Sequence, residues 1–323
     1  MQHTNTQQVT LPPPQIDSDK FCHPDITAKG EQRAVVALTR LKTLWFNTGS
    51  LCNITCKNCY MDSSPTNDQL AYLTSSEVRE YLNEIDSEGW SVDEIAFTGG
   101  EPFMNKDLPD MMSEALMRGY RVLVLSNAMK PLFHKRAQLL ELKENHGEAL
   151  TIRVSIDHFT KERHEDIRGV DTWMPMIENL RWLAQSGFNL TVAGRTVWDE
   201  SDDQSRAGYA DLFKREGVHI NTHNRTALVL FPEMDETQDV PEITVHCWDI
   251  LGVSPESIMC STSRMVIKRK GAAHPVVTPC TLLPYDPQFE LGTKIADSAS
   301  AVKLNHPHCA RFCVLGGASC SAD

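Results

Sequence analysis

The chain has 323 residues, of which 41% are hydrophobic, and its 31 basic and 43 acidic residues give a formal net charge of −12. This length allows one or two domains with a large core. An acidic surface repels phosphate backbones and anionic membranes, so we expect neither tight general nucleic-acid binding nor a membrane partner. No apolar run reaches the roughly 20 residues of a membrane span, and the first residues lack the features of a signal peptide, which predicts a cytoplasmic protein.

Residues 1–41 are predicted to form an N-terminal extension, because they are rich in polar residues and contain three consecutive prolines. We expect low order at the extreme end. Residues 42–240 alternate short apolar runs with helical patterns. The predicted strands are Thr43–Phe46, Glu94–Phe97, Arg121–Leu125, Leu150–Ile156, Leu190–Val197 and Thr226–Phe231.

The helices between these strands begin at recognisable capping residues. Thr74 and Glu77 have the spacing of a capping box, and Asp107 and Asp171 are predicted to cap two later helices. Strands that alternate with helices indicate right-handed βαβ units and a parallel sheet. Six such units favour an α/β fold, a partial (β/α)6 TIM-like barrel, whose chemistry would lie on the loops after the strands.

The composition changes near residue 240, where Cys, Pro and Gly become frequent. A strand or hairpin is predicted at Arg264–Lys268, with Gly271 in its turn. We therefore place a domain boundary near 240 and expect residues 241–323 to form a small Cys-rich C-terminal domain.

The ten cysteines are clustered, which favours metal ligation over disulfides in a reducing compartment. Cys52, Cys56 and Cys59 form a CxxxCxxC segment directly after the first predicted strand. Three thiolates on one loop can hold three irons of a cubane and leave the fourth iron open. Structural zinc is the alternative, but it has four ligands, and this loop offers no fourth Cys or His.

The CxxxCxxC segment, followed by the aromatic Tyr60, resembles the signature of the radical S-adenosylmethionine (radical SAM) superfamily. The segment Gly99–Pro102, Gly-Gly-Glu-Pro, is similar to a second element of that family. The resemblance covers roughly residues 42–231. The resemblance implies that the three cysteines hold a 4Fe-4S cluster. The iron of that cluster that has no cysteine ligand would bind S-adenosyl-L-methionine. One electron, from a donor such as flavodoxin or ferredoxin, would cleave the cofactor to a 5′-deoxyadenosyl radical that abstracts a hydrogen atom from the substrate.

The resemblance also implies which residues contact S-adenosylmethionine. The element Gly99, Gly100, Glu101 and Pro102 would bind the methionine amino group, with close backbone approach at the glycines and acceptor charge from Glu101. The other contacts it implies are polar or cationic side chains at strand ends: Ser155 and Asp157 at the ribose, Ser126 and Asn127 as polar contacts, and Arg195 at the methionine carboxylate. Asp157 could instead cap a turn. No side chain is assigned as a general acid or base.

The C-terminal cysteines resemble the SPASM or shorter Twitch extensions, which hold auxiliary iron–sulfur clusters. The match is imperfect, because only five of seven cysteines are present and the pair is CxxxC. Five thiols cannot ligate two cubanes, so one auxiliary 4Fe-4S cluster is expected, with a zinc site as the alternative. The first choice of ligands is Cys260, Cys280, Cys309 and Cys313, with Cys320 as an alternative, Cys247 as a weaker one, and His306 and His308 expected on a solvated loop.

An auxiliary cluster can accept an electron from a substrate radical, which favours net oxidation. The leading hypothesis is therefore an oxidoreductase that modifies a small molecule or natural-product intermediate. A peptide-maturing enzyme is the alternative, although the N-terminal residues look too short for a leader-binding domain. Methyl transfer on nucleic acid disagrees with the charge of −12 and with the lack of a preceding cobalamin-binding domain. A non-catalytic iron–sulfur carrier or scaffold would leave Gly99–Pro102 and the barrel pattern unexplained.

Overall fold

The structure, a computed structural model, describes residues 15–233 and 235–317. The strands in these residues are β1 (Val35–Val36), β2 (Thr43–Asn47), β3 (Glu94–Thr98), β4 (Arg121–Ser126), β5 (Leu150–Ser155), β6 (Asn189–Arg195), β7 (Leu228–Phe231), β8 (Ser263–Ile267), β9 (Val276–Thr278) and β10 (Val302–Lys303). The α-helices are α1 (Ser75–Ser87), α2 (Leu108–Met117), α3 (Lys130–Phe133), α4 (Arg136–His146), α5 (Lys161–Arg168), α6 (Trp173–Gln185), α7 (Asp202–Glu216) and α8 (Cys247–Leu251).

One eight-stranded sheet organises the fold, in the order β7-β6-β5-β4-β3-β2-β8-β9. Strands β2 to β7 are parallel neighbours in chain order, so the six predicted strands and the α/β fold class are confirmed, with bounds that differ by one or two residues. The predicted hairpin is also confirmed: β8 and β9 are antiparallel. However, β8 pairs in parallel with β2, so the hairpin extends the main sheet. The boundary near 240 stays a prediction.

The helix starts confirm one predicted cap and correct two. The Thr74 hydroxyl accepts from the Glu77 amide at the start of α1, which completes the capping box. Asp107 precedes α2, but its side chain makes no capping bond and instead accepts from the Ser75 amide at 3.4 Å. At α6 the residue before the first turn is Thr172. Asp171 lies one position too early, in a turn with φ of 61°, so this predicted cap was wrong.

The two faces of the sheet pack against different parts of the chain. Along β2, Leu44 and Phe46 belong to the apolar cluster formed with the helices. Trp45 points to the other face, as the two-residue period of a strand requires, and packs in a second cluster. That second cluster contains Cys260, Cys280, Cys309 and Cys313. The Cys-rich segment therefore covers the face of the sheet that the helices leave open.

The described part of the N-terminal extension, residues 15–41, also packs on this face. β1 pairs with β10 in antiparallel fashion, and Ala34 and Val36 belong to the second cluster. The buried guanidinium of Arg33 forms an ion pair with Glu242 at 2.6 Å. Within the described residues, no helix has the length and apolar character needed to cross a membrane.

Candidate active site

A cavity of about 590 Å³ opens at the ends of the parallel strands, and Cys52, Cys56 and Cys59 line it. Its wall also contains Thr98 from the end of β3 and Leu125 from β4. The sequence-predicted cofactor residues in this wall are Tyr60, Gly99, Gly100, Ser126, Asn127, Ser155 and Arg195. Glu101, Pro102 and Asp157 are buried but are not among the lining residues. The structure thus brings the predicted residues together at one site. Glu101, Pro102 and Asp157 are buried next to the residues that line the cavity.

The Gly99-Gly100 pair packs against the chain just before Cys52. The Gly100 amide donates to the Gly49 carbonyl at 2.8 Å, and the Glu101 amide donates to the Leu51 carbonyl at 3.1 Å. A Cβ atom on Gly100 would lie 2.1 Å from the Leu51 carbonyl oxygen, so no larger residue fits there. The close approach that the structure shows is therefore between two backbone segments, and it fixes where the cysteine loop begins.

Glu101 connects the ends of β3 and β4. Its carboxylate accepts from the Ser126 hydroxyl at 2.9 Å and from the Asn127 amide at 2.8 Å. Burial raises the pKa of Glu101 to about 7, although these hydrogen bonds act in the opposite direction. Asn127 in turn directs its side-chain amide towards Cys52, with 3.7 Å between Nδ2 and Sγ. Glu101 therefore orients the residues that face the first cysteine.

Asp157 holds two arginines at the cavity wall. Its carboxylate accepts from Arg168 at 2.7 and 3.2 Å, and the Arg195 Nε lies 3.4 Å from the same carboxylate. Burial would raise the pKa of Asp157, but Arg168 and Arg195 together lower it. Arg195 also donates to the carbonyls of Lys57 and Asn58, between the cysteines. The side chain of Asp157 therefore forms ion pairs with Arg168 and Arg195 in this structure.

Sequence reasoning missed Arg168, which lines the cavity and is the last residue of α5. The cationic and polar contacts predicted from the sequence lie at strand ends, whereas Arg168 reaches the site from a helix end eleven positions after Asp157. The available signal was a single arginine directly before Gly169, which ends the helix.

A second cavity, of about 330 Å³, lies among the C-terminal cysteines. Cys260 lies in a single 3-10 turn before β8, Cys280 follows β9, and Cys309 and Cys313 lie in a π-helical segment, Cys309–Leu315. All four line this cavity, together with Ile258, Met259, Pro279, Leu282, Leu283, Val302 and Leu304. The structure therefore brings together the four first-choice ligands in an apolar environment.

Comparison with protein families matches residues 46–213, more than half of the chain, to the Radical SAM superfamily. The chain belongs to the radical SAM superfamily. It is therefore an enzyme of the family that uses a 4Fe-4S cluster and S-adenosylmethionine, as the cysteine motif predicted. The non-catalytic carrier interpretation was wrong.

Curated relatives match the radical SAM region only in part. The chain is 24% identical over 156 residues to the antilisterial bacteriocin subtilosin biosynthesis protein AlbA of Bacillus subtilis (strain 168), covering 47% of this chain and 33% of that protein. It is 29% identical over 122 residues to the putative peptide biosynthesis protein YydG of the same strain, covering 36% of each. The matches thus span about a third of the length of these relatives.

Two solved structures share the radical SAM fold at low sequence identity. Streptococcus suis SuiB bound to S-adenosylmethionine superposes with a TM-score of 0.58 at 10% identity, covering 79% of this chain and 63% of that chain. The protein described as native anSMEcpe with bound AdoMet gives a TM-score of 0.54 at 14% identity, covering 79% of each chain. These likenesses confirm the partial-barrel fold.

The first cavity of this radical SAM enzyme fits a metal cluster with an anionic cofactor group. Burial raises the pKa of Cys52 to about 12 and also raises that of Cys56, so both thiols are protonated in the metal-free chain at neutral pH. Metal binding displaces such protons. Arg168 and Arg195 then provide positive charge beside the thiolates, and Ser126, Asn127 and Ser155 offer polar contacts for a bound cofactor.

The remaining candidate ligands that the structure describes, Cys247, His306 and His308, do not line the second cavity. Cys320 lies outside the residues that the structure describes. Cys247 is not among the lining residues, and its sulfur accepts from the Thr244 amide. His306 and His308 group instead with Glu236, their ligand atoms within 4.8 Å of one another. His308 is 4% exposed, so its expected place on a solvated loop was wrong.

Proposed function

We propose that this radical SAM enzyme holds one auxiliary 4Fe-4S cluster on Cys260, Cys280, Cys309 and Cys313 and oxidises a peptide substrate by two electrons. The observation that carries the proposal is the second cavity, where four thiols from three separate segments meet. Four cysteines are a complete ligand set for a cubane. They are also a complete set for zinc, which is why the first experiment identifies the metal.

Contacts between the two cavities support electron exchange between them. Cys59 and Tyr60 pack against the same apolar cluster that contains the four C-terminal cysteines. The Tyr285 hydroxyl donates to the Met61 carbonyl at 2.6 Å, which joins the segment after Cys280 to the cysteine loop. The cysteine loop and the C-terminal cysteines therefore contact the same apolar cluster.

The proposed reaction balances with one external electron. The bound cofactors would supply a hydrogen-atom abstraction and an electron acceptor, while the residues of this chain position them. A substrate that loses one hydrogen atom, then one proton and one electron, is oxidised by two electrons overall. The electron that starts the reaction would come from a reduced donor such as ferredoxin or flavodoxin, and the hydrogen atom would pass to the 5′-deoxyadenosyl radical. The proton would go to solvent, and the electron from the substrate would pass to the auxiliary cluster and from there to an oxidised molecule of the donor.

The names of the relatives favour a peptide as the substrate. AlbA and YydG are named for bacteriocin and peptide biosynthesis, and SuiB has a structure with its precursor peptide SuiA. A small molecule remains the second candidate, because a probable GTP 3′,8-cyclase of Metallosphaera sedula is 25% identical over 138 residues, covering 43% of this chain and 41% of that protein.

The metal content of two variants tests the auxiliary cluster. After anaerobic reconstitution, we expect about eight irons in the native protein and about four in the Cys52→Ala/Cys56→Ala/Cys59→Ala variant, as one remaining cubane requires. The matched variant, Cys260→Ala/Cys280→Ala/Cys309→Ala/Cys313→Ala, should also retain about four, together with cleavage of S-adenosylmethionine. Zinc, or no metal, in the first variant would overturn the auxiliary cluster and the oxidative function with it.

Mass spectrometry of candidate substrates tests the substrate class. Synthetic peptides encoded beside the gene are incubated with the reconstituted enzyme, S-adenosylmethionine and a reductant. We expect a peptide product that has lost two hydrogen atoms, formed with 5′-deoxyadenosine and absent with the Cys52/Cys56/Cys59 variant. If no peptide changes and a small-molecule extract yields an oxidised product, the second candidate replaces the first.

A further inference from the structure

The guanidinium of Arg264, on β8, is fully buried directly beside the second cavity. It donates to the carbonyls of Cys260 at 2.6 Å, Ser263 at 2.7 Å, Ser298 at 2.8 Å and Ser300 at 3.3 Å. Four carbonyls from two segments of the chain, residues 260–263 and 298–300, therefore hold this cation in place. Cys260, whose carbonyl accepts the shortest of these bonds, also lines the cavity.

This buried cation has no carboxylate partner. Among the described residues no Asp or Glu forms an ion pair with Arg264, whereas Arg33, which is also buried, pairs with Glu242 at 2.6 Å. The acidic groups that interact with Arg264 are the thiols of Cys260 and Cys280. Carbonyl dipoles satisfy the hydrogen bonds but carry no net charge, and a buried charge without a counter-charge is strongly unfavourable.

The cysteines beside Arg264 would supply that counter-charge when they bind metal, and the Cys260 carbonyl already accepts a hydrogen bond from this guanidinium. Coordination to metal removes the thiol protons and leaves thiolates. Thiolates bound to metal in the second cavity would thus compensate the charge of Arg264.

We propose that Arg264 is the resident counter-charge of the auxiliary cluster and raises its reduction potential, which allows the cluster to accept the electron of the substrate. The proposal rests on the proposed function, since it requires a redox-active cluster on these four cysteines. The apolar wall of Leu282, Leu283, Val302 and Leu304 disfavours the extra negative charge of the reduced cluster. A fixed positive charge beside two ligands opposes that effect, because electrostatic attraction is weakly screened inside a protein.

The test is a redox titration of Arg264→Met in the Cys52→Ala/Cys56→Ala/Cys59→Ala background, where only the auxiliary cluster remains. At a fixed ambient potential we expect the ratio of reduced to oxidised cluster to fall roughly tenfold, which for one electron is a shift of about 59 mV to lower potential. Arg264→Lys, which retains a charge, should stay close to the parent. The control is Arg206→Met, a buried arginine paired with Asp202 beside β7, at the opposite edge of the sheet, and it should not shift the potential.

The other outcomes separate the two proposals. If the parent variant holds no iron, the auxiliary cluster itself is wrong. Four irons and an unchanged potential in Arg264→Met would overturn the role of Arg264 and leave the cluster standing. If Arg264→Met loses its iron while Arg264→Lys keeps iron and the parent potential, the charge is required and the proposal holds. Loss of iron in both Arg264 variants, with iron kept in Arg206→Met, would mean that Arg264 has a structural role only.

Discussion

The two cysteine cavities differ in how they balance charge. The cavity of Cys52, Cys56 and Cys59 has polar walls and contains two arginines that share the carboxylate of Asp157. The cavity of the C-terminal cysteines has apolar walls, and within the described residues the hydrogen-bond acceptors of its neighbouring arginine, Arg264, are all carbonyls. The arginines of the first cavity therefore have carboxylate partners, whereas Arg264 pairs with no Asp or Glu in the described part of the chain. This difference leaves Arg264 available as a counter-charge for the cluster that we propose on the C-terminal cysteines.

Removing the carboxylate of the first cavity should have the largest effect on the metal-free protein. Asp157→Asn leaves Arg168 without a carboxylate partner and Arg195 with only the more distant Glu233, so we expect a loss of about 3–5 kcal/mol in the free energy of unfolding. Urea unfolding under anaerobic, reducing conditions measures it. The control is Asp166→Asn, which breaks an exposed pair with Lys57 and should cost at most about 1 kcal/mol.

The same ion pairs predict a loss of stability in acid. Since the pKa of Asp157 lies below its ordinary value of 3.8, this stabilisation is complete above pH 3.8 and disappears as the pH falls through the pKa of the folded state. If Asp157→Asn and Asp166→Asn lose the same free energy of unfolding, then Asp157 does not compensate the charge of Arg168 and Arg195.

The second prediction concerns pH near neutrality, where Glu101 titrates. Its pKa rises from 4.5 to about 7 on folding, so the folded state holds the proton more tightly. Stability should therefore decline between pH 4.5 and about 7 and then level off, by about 3 kcal/mol at 1.36 kcal/mol per pKa unit. Urea unfolding of the metal-free protein across this range measures the slope, and Glu101→Gln should flatten it. A slope that persists in Glu101→Gln would assign the titration to another group.

The third prediction concerns the backbone that supports the first cavity. Gly100→Ala forces a Cβ atom against the Leu51 carbonyl and should cost about 1–3 kcal/mol, in the range of other overpacking substitutions. The displaced loop should lose its iron while the C-terminal cysteines keep about four, so the second site is the internal control. Loss of iron from both sites would show that the two cavities are not independent.

The sequence predicted the parts of the molecule that local patterns determine. The six parallel strands follow from short apolar runs, and the cysteine loop follows from spacing within eight residues. The four C-terminal cysteines were grouped by resemblance, and the structure brings them together. Local patterns could not show that Ser263 pairs with Thr43, because that contact joins distant parts of the chain.

Charge balance was the least predictable property. Arg168 and Arg264 look like ordinary surface cations in the sequence, since lysine and arginine are rarely fully buried. Their burial depends on carboxylates and carbonyls from other elements, which only the folded chain places nearby. The Asp171 cap failed for a smaller reason, because a left-handed turn shifts the helix start by one residue.

The pairing of β8 with β2 has a consequence for the order in which the protein matures. The first three cysteines lie on one short loop, so they can meet as soon as that loop forms. The other four pack on the open face of the sheet, and that part of the sheet is complete only after residue 263 has paired with residue 43, a long loop whose closure is slow. The first cysteine loop can therefore form before the sheet is complete, whereas the proposed auxiliary site is complete only after the C-terminal segment has packed on the sheet.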